Sequence, residues 1–230
     1  MFAFIDDTIQ VLLQRPILKS QEQEENSRLH YQLPSDFILE NEEIENTFFR
    51  ILADFLPVAH HKLIPIQTIY LADLKVDSGF ISNNELNNIS AKTPLIKLSY
   101  LALAQTENLN TTQIKDEYKL HWFSLNKLPA LAFGVDEIIK RAFQELKYKL
   151  KTHAIAFELL PLKFTLGQLQ KIYELILEQN IDKRNFRKQM LKKGFLTSLQ
   201  ERQKQVSHKR AQFFEFNKDK FRLLQHNNDI

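Results

Sequence analysis

Residues 164–195, FTLGQLQKIYELILEQNIDKRNFRKQMLKKGF, decide the fold of the C-terminal part of the chain. Apolar residues recur at helical spacing from Leu166 through Leu169, Ile172, Tyr173 and Ile176 to Leu177, and the pattern breaks at Gln179-Asn180. It restarts after Asp182 as a short helix rich in lysine and arginine. Thr165 and Gln168 have the spacing of a capping box, in which hydroxyl and amide satisfy N–H groups exposed at a helix start. Asp182 suits the N-cap of the second helix, and Gly194 the position just past its end. Two helices joined by a tight turn, the second strongly basic, outline a helix-turn-helix whose second helix carries its charge to a DNA groove.

Within that second helix Phe186, Met190 and Leu191 are expected to point inward. Asn185, Lys188 and Lys192 share the opposite face, with Arg184 beside them. Residues at a recognition helix N-terminus are the ones that reach base edges, so Arg184 and Asn185 are candidates for guanine and adenine respectively. Lys183, Lys188 and Lys192 fit phosphate contacts, while Arg187 borders the core face and fits a salt bridge nearly as well as a phosphate. Phe195–Thr197 and Ala211–Phe216 read as paired strands, and the link between them carries Arg202, Lys204, His208, Lys209 and Arg210. That is a basic wing suited to backbone or minor-groove contact. Any one lysine is as readily a solvated charge. The cluster as a whole favours duplex DNA.

The charge distribution agrees. Residues 1–150 carry 15 Lys/Arg and 20 Asp/Glu, a net of −5, and residues 151–230 carry 16 and 8, a net of +8, which together give the +3 of the whole chain. Such asymmetry is a hint of a nucleic-acid-binding part joined to an acidic part. The absence of cysteine excludes disulfides, a thiol nucleophile and cysteine-based zinc sites. The seven histidines lack ligand spacing, His60 and His61 being adjacent. With only four glycines, neither common phosphate-cradling motif can be written. No metal or cofactor is expected, and with no membrane span or signal peptide the sequence points to the cytoplasm.

The first 150 residues read as an α+β domain. FAFIDDTIQVLLQRP is two strands around Asp6-Asp7-Thr8, a tight turn without glycine, and residues 18–30 form a polar loop. From Tyr31 an extended piece leads to a helix beginning near Glu43, with Ile44, Phe48, Ile51, Leu52 and Phe55 on its apolar face and Pro57 as its stop. Strands are expected within Ile64–Ala72, Pro94–Ala104 and Tyr118–Phe123, with an Asn/Ser-rich loop over Ser82–Thr93. A long helix follows over Val135–Leu150.

Residues 33–58, LPSDFILENEEIENTFFRILADFLPV, resemble the Nudix hydrolase signature G-x5-E-x7-R-E-U-x-E-E-x-G-U, where U is apolar. With Asp36 at the first glycine, Glu42, Arg50 and Leu52 take their motif positions, but the three catalytic glutamate positions hold Ile51, Asp54 and Phe55. The closing glycine is Pro57. Such chemistry needs carboxylates converging from one helix face to hold Mg²⁺ and activate water. One surviving carboxylate between two apolar residues makes hydrolysis improbable.

Further segments match in order: Trp122 with Leu128-Pro129-Ala130-Leu131-Ala132-Phe133, then Ala154–Pro161, Phe164-Thr165-Leu166, Tyr173-Glu174 and Asp182–Lys188. The set resembles the Nudix-related transcriptional regulators of NrtR type. The resemblance implies a Nudix-like α/β/α sandwich over 1–150 and a winged helix-turn-helix over 151–230. It also implies a homodimer on a palindromic operator, repressing or activating in response to an effector such as ADP-ribose or a sugar. A disabled cleft would place Arg50 and Asp54 at its floor as effector contacts, unless both are structural. Gly134-Val135 departs from the family's usual Asp-His. Two other readings suit the residues: a divergent pyrophosphatase using Glu40, Glu42 or Glu43, and a protein–protein module with a basic tail.

Overall fold

The computed structural model describes residues 1–15, 30–55, 64–67, 98–105, 120–132, 134–203 and 210–226. Pro57, the loops over 18–29 and 82–93, the segments 68–72, 94–97 and 118–119, Phe133, and the wing residues Lys204, His208 and Lys209 lie outside them. The chain divides into two compact units: Met1–Phe2 with Gln10–Ala104 and Asn108–Glu145, and Ala3–Ile9 with Gln105–Glu107 and Leu146–Ile230.

Strands β1 (Phe2–Ile5) and β2 (Thr8–Gln14) form the expected hairpin. Its two-residue turn places both Asp6 and Asp7 at positive φ, 47° and 55°. Those are the signs a turn matched to strand twist requires, and aspartate tolerates them without glycine. Helix α1 is Ile44–Phe55, β3 Ile64–Gln67, β4 Tyr100–Ala104 and β5 Leu120–Ser124. The sheet order is β3-β4-β1-β2-β5. Antiparallel pairs set Val11 opposite Phe123 and Leu12 opposite Trp122, and Ile64 opposite Leu103. Phe48 and Leu52 are buried on α1, whereas Ile44, at the open end of the same stripe, is exposed.

Helix α2 is Val135–Thr152, two residues longer than its sequence pattern. Asp136 and Glu137 in its first turn and Lys149 and Lys151 in its last complement the helix dipole. The residue before it, Gly134, has φ 77°, a backbone state that costs other residues and accounts for glycine there.

The second unit gathers around phenylalanine. A 3₁₀ turn over Ile155–Glu158 presents Phe157, which stacks on Phe216 at 4.1 Å between centroids with the planes 2° apart. Phe164 and Phe195 meet Phe157 at 5.6 and 5.7 Å. Strand β6 (Phe164–Thr165) precedes helices α3 (Leu166–Leu177) and α4 (Lys183–Lys192). Strands β7 (Leu196–Arg202) and β8 (Gln212–Phe216) then pair antiparallel, and helix α5 (Lys218–His226) follows. Because β6 also pairs with β8, the sheet order is β6-β8-β7. Phe221 of α5 closes the aromatic cluster against Phe195 and Phe216.

Candidate functional site

Both caps read from the sequence form. Thr165 Oγ1 accepts from the Gln168 N–H at 3.2 Å, and Gln168 Oε1 accepts from the Thr165 N–H at 2.8 Å. Asp182 Oδ1 accepts from the Asn185 N–H at 2.7 Å, fixing the start of α4. Gly194 follows α4 at φ 77°. The break between α3 and α4 is made by Glu178, which takes the left-handed conformation with φ 55°, rather than by Gln179-Asn180. Its carboxylate accepts from Lys147 Nζ at 2.9 Å.

The turn is held by two residues with no obvious sequence signal. Glu174 Oε1 accepts from the Ile181 N–H at 3.1 Å and from Gln170 Nε2 at 2.9 Å, and Gln170 also donates to the Ile181 carbonyl at 3.0 Å. These donors hold the Glu174 carboxyl below its ordinary range. Tyr173 packs edge-on against Phe186 at 5.3 Å, anchoring α4 to α3. Burial pushes the Tyr173 phenol up.

On α4, Phe186 and Met190 are buried as expected. Leu191 is not: it is 45% exposed. A helix turns about 100° per residue, so a narrow stripe centred on Phe186 and Met190 leaves Leu191 outside it. Lys183, Arg184, Asn185, Arg187, Lys188, Gln189 and Lys192 are all exposed. Among the described residues Arg187 has no ion-pair partner, so its place is solvent, not the edge of the core. Arg202 ends β7 opposite Gln212, and Arg210 lies exposed just before β8.

In the first unit three residues at signature positions, Asp36, Glu42 and Arg50, come together. Arg50 donates through Nε to Glu42 Oε1 at 2.8 Å, through Nη2 to Glu42 Oε2 at 2.9 Å and to the Phe37 carbonyl at 2.7 Å, and through Nη1 to Asp36. Glu42 Oε2 also accepts from Thr47 Oγ1 at 2.7 Å and the Leu39 N–H at 3.0 Å. Arg50 thus clamps the segment from Asp36 to Glu42 onto α1. A carboxylate so occupied has little lone-pair capacity left for a cation or a water. Ile51 packs against the cluster of Leu12 and Leu120 with Met1 and Trp122. Asp54 lies in the last turn of α1. No group of three His, Asp or Glu residues that could hold a metal occurs among the described residues.

The clamp predicts an acid transition. Hydrogen bonds from Arg50, then Leu39, hold the Glu42 carboxyl at about 2, below its ordinary 4.5. The folded state favours the ionised form, so its stabilisation is complete above pH 4.5 and lost as pH falls toward about 2. Glu42→Gln should therefore melt below the wild type at neutral pH, with the gap narrowing through that window. A gap independent of pH would show that the clamp carries no charge-dependent stability.

Residues 156–216 match the NrtR DNA-binding winged helix domain. The C-terminal segment thus matches an NrtR-type winged helix. Over 107 residues the chain is 34% identical to the ADPR responsive transcriptional repressor NtrR of Acinetobacter baylyi, covering 45% of this chain and 42% of that protein. The chain thus spans less than half the length of that curated relative. It is also similar to the crystal structure of Shewanella oneidensis NrtR complexed with a 27mer DNA, at 22% identity and TM-score 0.67, covering 95% of this chain and 91% of that one. A MutT/nudix family protein from Enterococcus faecalis matches at 19% identity and TM-score 0.62, covering 94% and 84%. The resemblance to NrtR-type regulators drawn from the sequence is borne out, and the α+β fold with a Nudix-like part and a winged helix is that of these structures. No helix among the described residues is long and apolar enough to cross a membrane.

Proposed function

We infer that the chain is a sequence-specific transcriptional repressor, with a sensing part over 1–150 and an NrtR-type DNA-binding part over 151–230. The observation that carries this reading is the exposed basic face of α4 inside the matched winged helix. Arg184 and Asn185 read bases. Lys183, Arg187, Lys188 and Lys192 meet phosphates, and the wing residues Arg202, Lys204, Lys209 and Arg210 contact the backbone beside them. A homodimer on a palindromic operator follows from the symmetry such readers use. The chain works in the cytoplasm.

The effector is an ADP-ribose-like nucleotide, in keeping with the name of the Acinetobacter relative. Of its two candidate contacts, Arg50 is engaged by Asp36 and Glu42, so a ligand phosphate exchanges with Asp36, the more exposed partner at 37% against 14% for Glu42. Asp54 lies one turn further along the same helix. Ligand binding shifts the DNA-binding equilibrium by its differential affinity for the two states. The chain binds this ligand without cleaving it, because Ile51 and Phe55 take two glutamate positions.

Calorimetric titration with ADP-ribose and release of a duplex from the chain's own upstream region test this together. The expected results are saturable binding, loss of the DNA complex and no AMP formed in the presence of Mg²⁺. AMP release that disappears in Glu42→Gln would establish a pyrophosphatase instead. Binding to DNA without sequence preference at moderate salt would sink the repressor reading.

A further inference from the structure

We propose that Leu191 is a specificity-determining residue that reads a thymine C5-methyl group in the major groove. This rests on the reading of α4 as the recognition helix. Leu191 is a large apolar side chain, 45% exposed, on a helix whose other exposed residues are all charged or amide-bearing. Its exposure is not that of a helix border. At about 100° per residue it stands about 120° from the middle of the stripe formed by Phe186 and Met190. Arg184 lies within about 20° of the same line, two turns earlier, and Lys188 and Arg187 flank it one turn earlier.

An apolar side chain ringed by cations is poorly suited to a protein partner of ordinary surface. It suits a polyanion that displays an apolar group between its phosphates. The major groove of duplex DNA has one such group, the thymine methyl, and contact with it distinguishes A·T from the other pairs without a hydrogen bond. Lys188 and Lys192 supply the phosphate contacts that seat the helix. The spacing fixes a register. Seven residues separate Arg184 from Leu191, about 10.5 Å along the axis, which matches about three base-pair steps. The thymine therefore lies within about three base pairs of the guanine that Arg184 reads.

The test uses the full chain to select duplexes from a random-sequence pool. Each thymidine of the selected duplex is then replaced by deoxyuridine, which deletes only the methyl. Wild type should lose about four- to tenfold in affinity at one position, the scale of one methyl removed from water with its packing. Leu191→Ala should lose the same factor on the parent duplex and become indifferent to that replacement. Its affinity for mixed-sequence DNA should fall by less than on the parent duplex, its melting temperature should not change, and Leu191→Met should retain most of the discrimination. Equal sensitivity of wild type and Leu191→Ala to every replacement overturns the assignment, as does equal weakening on selected and mixed DNA. If Arg184→Ala loses selectivity while Leu191→Ala keeps all of its own, the recognition helix stands and Leu191 does not read. If no sequence is enriched, the DNA-reading role falls first and takes this inference with it.

Discussion

Replacing Arg184 and Lys188 together by alanine is expected to weaken binding to the preferred duplex by about 30- to 1,000-fold, while leaving the fold intact. Both side chains are exposed on α4 and neither belongs to the buried stripe of Phe186 and Met190, so little core packing is lost. The two changes act differently. Arg184 is placed in the first turn, where the Asp182 cap fixes the helix start, so its loss should relax the preference for guanine at one position. Lys188 sits at the centre of the outward face and meets phosphate, so its loss should weaken every duplex alike. It should also reduce the slope of log affinity against log salt by about 0.9. Fluorescence anisotropy over a salt series with each single variant separates the two. A double variant that binds selected and mixed duplexes as the wild type does would remove α4 from the interface.

The contrast between the two units shows what a sequence carries on its surface. Local rules wrote the helix-turn-helix: two caps within three residues of their partners, a helical apolar period and a terminal glycine, and the caps and the glycine formed as read. The hairpin at Asp6-Asp7 was legible for the same reason. What escaped was either aperiodic or long-range. The 3₁₀ turn at Ile155–Glu158 is too short to show a period, and in α5 the charges around Phe221 mask one. Phe164-Thr165 was legible as a cap but not as a strand, because its partner lies at Phe213-Phe214. The motif alignment put Asp36, Glu42 and Arg50 on signature positions, yet only tertiary contact shows Arg50 occupied by the other two. Leu191 was misplaced because it neighbours Met190, and one step along a helix is enough to leave a narrow stripe.

Phe157→Ala is expected to lower stability by about 3–5 kcal/mol, the range for deleting a buried aromatic ring. The melting midpoint of a unit of this size should then fall by about 12 to 40 °C. Phe157 is 5% exposed and touches three rings, stacked on Phe216 and meeting Phe164 and Phe195. Collapse cannot fill the space cheaply. Phe164 and Phe216 belong to β6 and β8, which pair directly, and the Asn217 N–H donates to the Phe195 carbonyl at 2.9 Å. Phe157→Leu keeps most of the volume and should cost less than half as much. The loss is a large fraction of the 5–15 kcal/mol typical of a domain, so duplex binding should fail on warming well before it does in the wild type. At low temperature, where the variant is folded, its salt slope should match the wild type, because no phosphate contact has been removed. That pattern is the reverse of the one expected for Arg184 and Lys188. A melting midpoint within about 3 °C of the wild type would mean that the aromatic cluster does not hold the winged helix together.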